Sequence, residues 1–166
     1  GPLACQIALR EVDPAKLSGT LVLCPVVNPP AFEAAQRGNP LDTFSYDMNR
    51  IYPGRANGYL SERLAAAHSA AMGPVADIEI SIHSGGAHSF LDKSIFVDER
   101  PESVELATAM GPGWGCIMSN FNPKGSPMAY LKDLGRVGIT VELGGRSATS
   151  PEGFARVGRE LADSIL

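Results

Sequence analysis

Residues 77–86, DIEISIHSGG, alternate polar and apolar side chains up to a chain-breaking Ser-Gly-Gly. Asp77, Glu79, Ser81 and His83 fall on one side, Ile78, Ile80 and Ile82 on the other. A period of two over this length reads as a β-strand with one face buried and one polar. The chain must therefore fold around a sheet, one strand of which ends its polar side at a histidine. That histidine has two readings at this point. It is a solvated edge residue, or it is a ligand held over a cavity by the rigid end of a sheet.

The flanking sequence alternates helices with further strands. LACQIALREV (residues 3–12) has helical spacing, and TLVLCPVVN (20–28) is a short apolar run without helical period that reads as a buried strand. Residues 31–57 form a long stretch rich in Gly, Pro, Asn and Arg, and a loop of that length in a compact domain is usually functional or disordered. YLSERLAAAHSAAMG is a helix, and a mixed loop follows the 77–83 strand. PESVELATAMG is a helix with Pro101 in its first turn and Gly111 at its end. WGCIMS is a short strand, SPMAYLKDLG a helix closed by Gly135, and GITVELGG (138–145) an apolar strand. Ser150 caps a last helix whose first residue is Pro151. Strands alternating with helices predict an α/β fold with a largely parallel sheet.

The 166 residues suit one domain, and 44% hydrophobic residues, 19% charged residues and a net charge of −4 suit a soluble globular protein. No basic patch points to nucleic acid, and the apolar runs are far shorter than a membrane span. Cys5, Cys24 and Cys116 are widely spaced and have no CxxC partner. They read as buried thiols of a reducing compartment, so the expected location is the cytoplasm.

Three predicted strands share one design, in which an apolar run stops at a polar residue followed by a chain-breaking pair. Asn28 precedes Pro29-Pro30, His83 precedes Ser84-Gly85-Gly86, and Glu142 precedes Leu143-Gly144-Gly145. In open α/β sheets, ligands bind beyond the carboxyl ends of the strands. A glutamate inside ITVEL is costly to bury unpaired, so Glu142 is either an edge residue reaching water or a functional carboxylate. In YDMNRIYPG, Asn49 and Arg50 stand before a Pro-Gly turn, as a solvated pair or as donors gripping a carboxylate.

The order PVVNPPAF, DMNRIYPG, ADIEISIHSGG, GITVELGG resembles the succinylglutamate desuccinylase/aspartoacylase family, zinc-dependent amidohydrolases related to the zinc carboxypeptidases. The resemblance runs over nearly the whole chain and is specific for family rather than for substrate. It implies a zinc carboxypeptidase-like α/β fold, a largely parallel mixed sheet flanked by helices. It also implies that His83 is a zinc ligand, that Glu142 is the general base, and that Asn49 and Arg50 bind a substrate carboxylate. Arg37, in the loop after NPPAF, would polarise the scissile carbonyl, although its spacing to DMNR is longer than the family pattern. On this resemblance His83 is a Zn2+ ligand rather than an edge residue.

Two departures from the pattern bear on function. The family's first zinc motif, HxxE, is absent, and its place would be just before GPLACQIALREV, where this chain begins. A catalytic zinc usually has three protein ligands, and His68 on a helix and His88 after Gly-Gly are poor substitutes. The chain also stops where relatives continue into a β-rich portion, so it reads as a single catalytic-type domain, 1–166, truncated at both ends. Secondly, Ser81 stands where relatives carry Asp, and a serine orients a metal-binding imidazole less strongly than a carboxylate does. The expected activity is removal of an acyl group from an N-acylated amino acid or similar small amide that bears a carboxylate. The alternatives are a carboxypeptidase-like metallopeptidase and a non-catalytic relative that binds acyl-amino acids.

Overall fold

Strand β4 (Val137–Gly145) is the hub of a four-stranded mixed sheet of order β1-β4-β2-β3. On one side β1 (Ile78–His83) runs parallel to it; on the other, β2 (Phe90–Phe96) runs antiparallel, and β3 (Cys116–Met118) is parallel to β2 at the far edge. The computed structural model describes residues 1–44, 47–86, 88–118, 123–145 and 150–165. Tyr46, Ser119 and Leu166, which end three of the predicted stretches, lie outside them.

The period of two in β1 and β4 divides the sheet into an apolar and a polar face. On the apolar face Ile139, Val141 and Leu143 are buried together with Ile95, Ala4, Ala107 and Leu161, and Ile80 and Ile82 pack against them. Those residues bring helices α1 (Pro2–Glu11), α4 (Pro101–Ala109) and α6 (Pro151–Ile165) onto this side. Each such fully buried aliphatic side chain contributes roughly 1.5–3 kcal/mol. Opposite, Gly138 lets α5 (Pro127–Asp133) approach closely, since a Cβ there would lie 3.2 Å from the Met128 backbone. A second cluster of Met48, Tyr52 and Ala65, with Val27, Leu64 and Tyr130 against it, ties α3 (Leu60–Met72) to α5 and to the 3-10 turn Met48–Arg50. The sheet is thus flanked by helices on both faces, as expected for the predicted α/β class.

Three sequence expectations need correction. Residues 20–28 form no strand, because no strand lies beside them among the described residues to complete a ladder, and an isolated strand leaves its backbone groups unpaired. Asn28 instead caps the short helix α2 (Pro29–Glu33), its Oδ1 accepting from the Ala31 N–H at 3.3 Å. The mixed loop after β1 contains β2, whose pattern is broken by a bulge between Leu91 and Ser94 where Lys93 takes a φ of +29°. Finally, Cys24 is exposed, while Cys5 is buried as expected.

Candidate active site

His83 and Glu142 are register partners across the parallel β1–β4 pair. Their neighbours Ile82 and Val141 turn into the apolar core, so alternation places both polar side chains on the opposite face. Glu142 is half-buried, and its Oε2 is buried with no hydrogen-bond partner among the described residues. Burial pushes its carboxyl up to about 7, while the Arg37 charge pulls the other way. His83 is held toward the neutral imidazole by burial and then by Arg37, with Asp47 opposing and Arg50 adding to the effect. Ser81 Oγ lies 3.1 Å from His83 Nε2, so a ligand of this ring is met through Nδ1.

Arg37 and Arg50, at two points of the long 31–57 segment, are therefore near enough for their charges to be felt at His83. Although nine residues separate Arg37 from Asp47, Gly38 and Asp47 pair in an isolated antiparallel bridge, so the long spacing noticed in the sequence does not keep Arg37 from Asp47. Asn49 is engaged through its backbone, its N–H donating to Asp47 Oδ1 at 3.0 Å and its carbonyl accepting from Arg50 Nη1 at 2.8 Å. Beyond the turn, the Tyr52 N–H donates to the Gly125 carbonyl at 2.8 Å. Gly54 (φ +84°) lies where a Cβ would come within 2.3 Å of the Glu62 carbonyl oxygen, so only glycine lets the turn pack on α3.

The glycines after the two strand ends serve the chain itself. A Cβ on Gly85 or Gly145 would lie 2.4 Å or 2.1 Å from the Ser89 carbonyl oxygen. At Gly85 and Gly145 the room beside the Cα is thus taken by the Ser89 backbone, whereas nothing lies within 4 Å of a Cβ on Gly86.

A zinc site is a separate question of donors. Among the described residues no group of three or more His, Cys, Asp and Glu gathers to hold a metal. His68 is half-buried with its Nδ1 3.2 Å from the Tyr52 hydroxyl, and His88 is exposed, so neither supports His83. One imidazole beside one carboxylate does not by itself fit a catalytic zinc.

Two acidic residues escaped the sequence reading. Asp47 stood inside the quoted DMNR block with nothing in the sequence to show that it meets Arg37. Glu79 shares the polar face of β1, where burial lifts its carboxyl to about 7 and its charge acts on Tyr52. The alternation that exposed His83 already placed Glu79 on the same face.

Comparison with known proteins adds family to geometry. A family model described as the succinylglutamate desuccinylase/aspartoacylase catalytic domain matches residues 1–166. The N-alpha-acetyl-L-2,4-diaminobutyric acid deacetylase of Halomonas elongata is 26% identical over 175 residues, covering 100% of this chain and 50% of that protein. A solved succinylglutamatedesuccinylase/aspartoacylase from Rhodobacter sphaeroides superposes with a TM-score of 0.80 at 26% identity, over 99% of this chain and 49% of its own. The product-bound ectoine utilization protein EutE (DoeB) from Ruegeria pomeroyi superposes with a TM-score of 0.82 over 99% of this chain and 52% of its own. At 24% identity it speaks for the fold alone. The chain spans about half the length of these relatives.

Proposed function

The chain belongs to the succinylglutamate desuccinylase/aspartoacylase catalytic-domain family, and we propose from this premise that it is the core of an amidohydrolase that removes an acyl group from an N-acylated amino acid. The fold is the zinc carboxypeptidase-like α/β fold. The observation that carries the reading is the buried, unpartnered Oε2 of Glu142 beside His83, within the field of Arg37. The deacetylase activity named for the Halomonas relative supports the same reaction class.

In this reading Glu142 takes a proton from the attacking water and returns it to the departing nitrogen, for which a carboxyl near 7 is well matched. Arg37 hydrogen-bonds the carbonyl oxygen as negative charge develops on it. Asn49 and Arg50 hold a carboxylate of the substrate, so the bond to be broken is presented in one orientation. Zinc belongs to the proposal with His83 as one donor. Because the described residues do not complete a metal site, the proton path is drawn through Glu142 alone. The free thiols Cys5 and Cys24 support a cytoplasmic setting.

A second reading, a relative that binds acyl-amino acids without turnover, is favoured by Ser81 at the imidazole, where a carboxylate would orient the ring more strongly. The test is the full-length protein assayed on N-acetyl and N-succinyl amino acids and on peptides with a free carboxyl terminus. Amine release from the acyl-amino acids is expected, and Glu142→Gln should cut turnover by roughly 10²–10⁴ while affinity stays within about tenfold. Binding without release would favour the second reading. Cleavage confined to peptides would favour a carboxypeptidase-like enzyme, and a fully active Gln variant would remove Glu142 from the chemistry.

A further inference from the structure

Two cationic side chains of the 31–57 segment are felt at one imidazole. Arg37 and Arg50 both act on His83, and two guanidiniums brought together repel each other unless a countercharge lies between them. Arg37 is also a long side chain that is 71% exposed, with several torsions to fix before it can point anywhere in particular. Something must aim it.

The base of the 38–47 loop supplies the means. The Asp47 carboxylate uses one oxygen for each segment: Oδ2 accepts from Arg37 Nε at 2.9 Å, and Oδ1 accepts from the Asn49 N–H at 3.0 Å. The Gly38–Asp47 bridge closes the backbone at the same point. The loop is in turn anchored to α3, because the Asp42 carboxylate accepts from the Leu60 and Ser61 N–H groups at 2.8 and 2.9 Å. The bond to Arg37 uses Nε, which leaves the Nη groups for a substrate oxygen.

We propose that Asp47 is a positioning residue that fixes Arg37 and the Asn49–Arg50 turn in one register over His83 and Glu142, an assignment that rests on the reading of the site given above. An exposed ion pair adds little to stability, so the contribution of Asp47 is direction rather than folding energy. Its charge also lets two arginines share the site, since it lies in the same field at His83 as both of them. The neutral amide of an Asp47→Asn variant keeps an acceptor for the Asn49 N–H and loses the ionic hold on Arg37. The two functions of this one carboxylate are therefore separable by substitution.

The experiment uses the full-length protein and its hydrolysis of an N-acyl amino acid. Asp47→Asn should lower kcat by roughly ten- to a hundredfold with KM nearly unchanged, as a misplacement of about 1 Å does. Asp47→Ala releases the Asn49 turn as well and should raise KM in addition. On an Arg37→Ala background, Asp47→Asn should change kcat by less than about twofold, because the partner it holds is gone. A merely structural Asp47 would instead lower the melting temperature and leave this kinetic split and this coupling unmoved. Parent-like kcat in Asp47→Asn, or an undiminished effect on the Arg37→Ala background, overturns the assignment. If the parent hydrolyses no N-acyl amino acid, the amidohydrolase reading fails on its own, and the side-chain Nε–H resonance of Arg37 decides. A resonance displaced in the parent and returned to the free-arginine position in Asp47→Asn upholds the hold on Arg37, whereas one unaffected by the substitution overturns it.

Discussion

Glu79 and Glu142 sit on the same polar face of neighbouring strands, and burial lifts both carboxyls to about 7. Such a group binds its proton more tightly in the folded than in the unfolded state, so its ionisation opposes folding. Its penalty grows as pH rises from its unfolded value of 4.5 to about 7 and is constant above that. His68 and His83, held neutral by burial, work in the opposite sense, since they resist the protonation that acid imposes. The parent's total pH dependence therefore mixes both effects. The difference between parent and Glu79→Gln isolates one of them. Glutamine mimics the protonated acid, so the variant's stability relative to the parent should increase between pH 5 and pH 8 in urea unfolding. A constant difference would show that Glu79 titrates like an exposed carboxylate. At this scale the polar strand-end positions of His83 and Glu142 were legible, because His83 closes a strict alternation and Glu142 interrupts an apolar run. Asp47 was not, because its meaning lies in Arg37, ten residues back, and no local pattern records that contact.

The longer helices were the legible elements, while the short α2 (Pro29–Glu33) fell where a strand end and a loop were expected. Pro101, Pro151 and the cap Ser150 mark starts, Gly111 and Gly135 mark ends, and the helices lie within a residue or two of those signals. The two strand errors have one physical origin, since a strand is defined by its neighbour. Residues 20–28 have the composition of a strand with no ladder to join among the described residues, while β2 gains its identity from β4 despite the bulge at Lys93. The start of α3 makes the same point for helices, because its first two N–H groups are met by Asp42, eighteen residues upstream of Leu60. Asp42→Ala should destabilise the protein by about 1 kcal/mol, within the roughly 0.5–2 of a lost cap, without touching the apolar core under β4. Chemical denaturation measures the loss. Parent-like stability would mean that water replaces the cap at no cost.

Across the whole molecule, the sheet sets His83 beside Glu142, and the described residues gather no group of three or more metal donors. The 166 residues alone are accordingly expected to bind zinc weakly, and a version spanning the full length of the relatives to bind it about one to one. Isothermal titration and metal analysis of both versions check this, and tight stoichiometric zinc on the short chain that survives His83→Ala would refute it. The pinched loop has a different kind of consequence. A chain segment whose base is tied off can change in length without moving what is attached to its base, and doubling such a segment costs only about 0.6 kcal/mol in closure entropy. The Gly38–Asp47 bridge ties off such a base here, so changes in length between those two residues are expected to leave Arg37 and the Asn49–Arg50 turn in register.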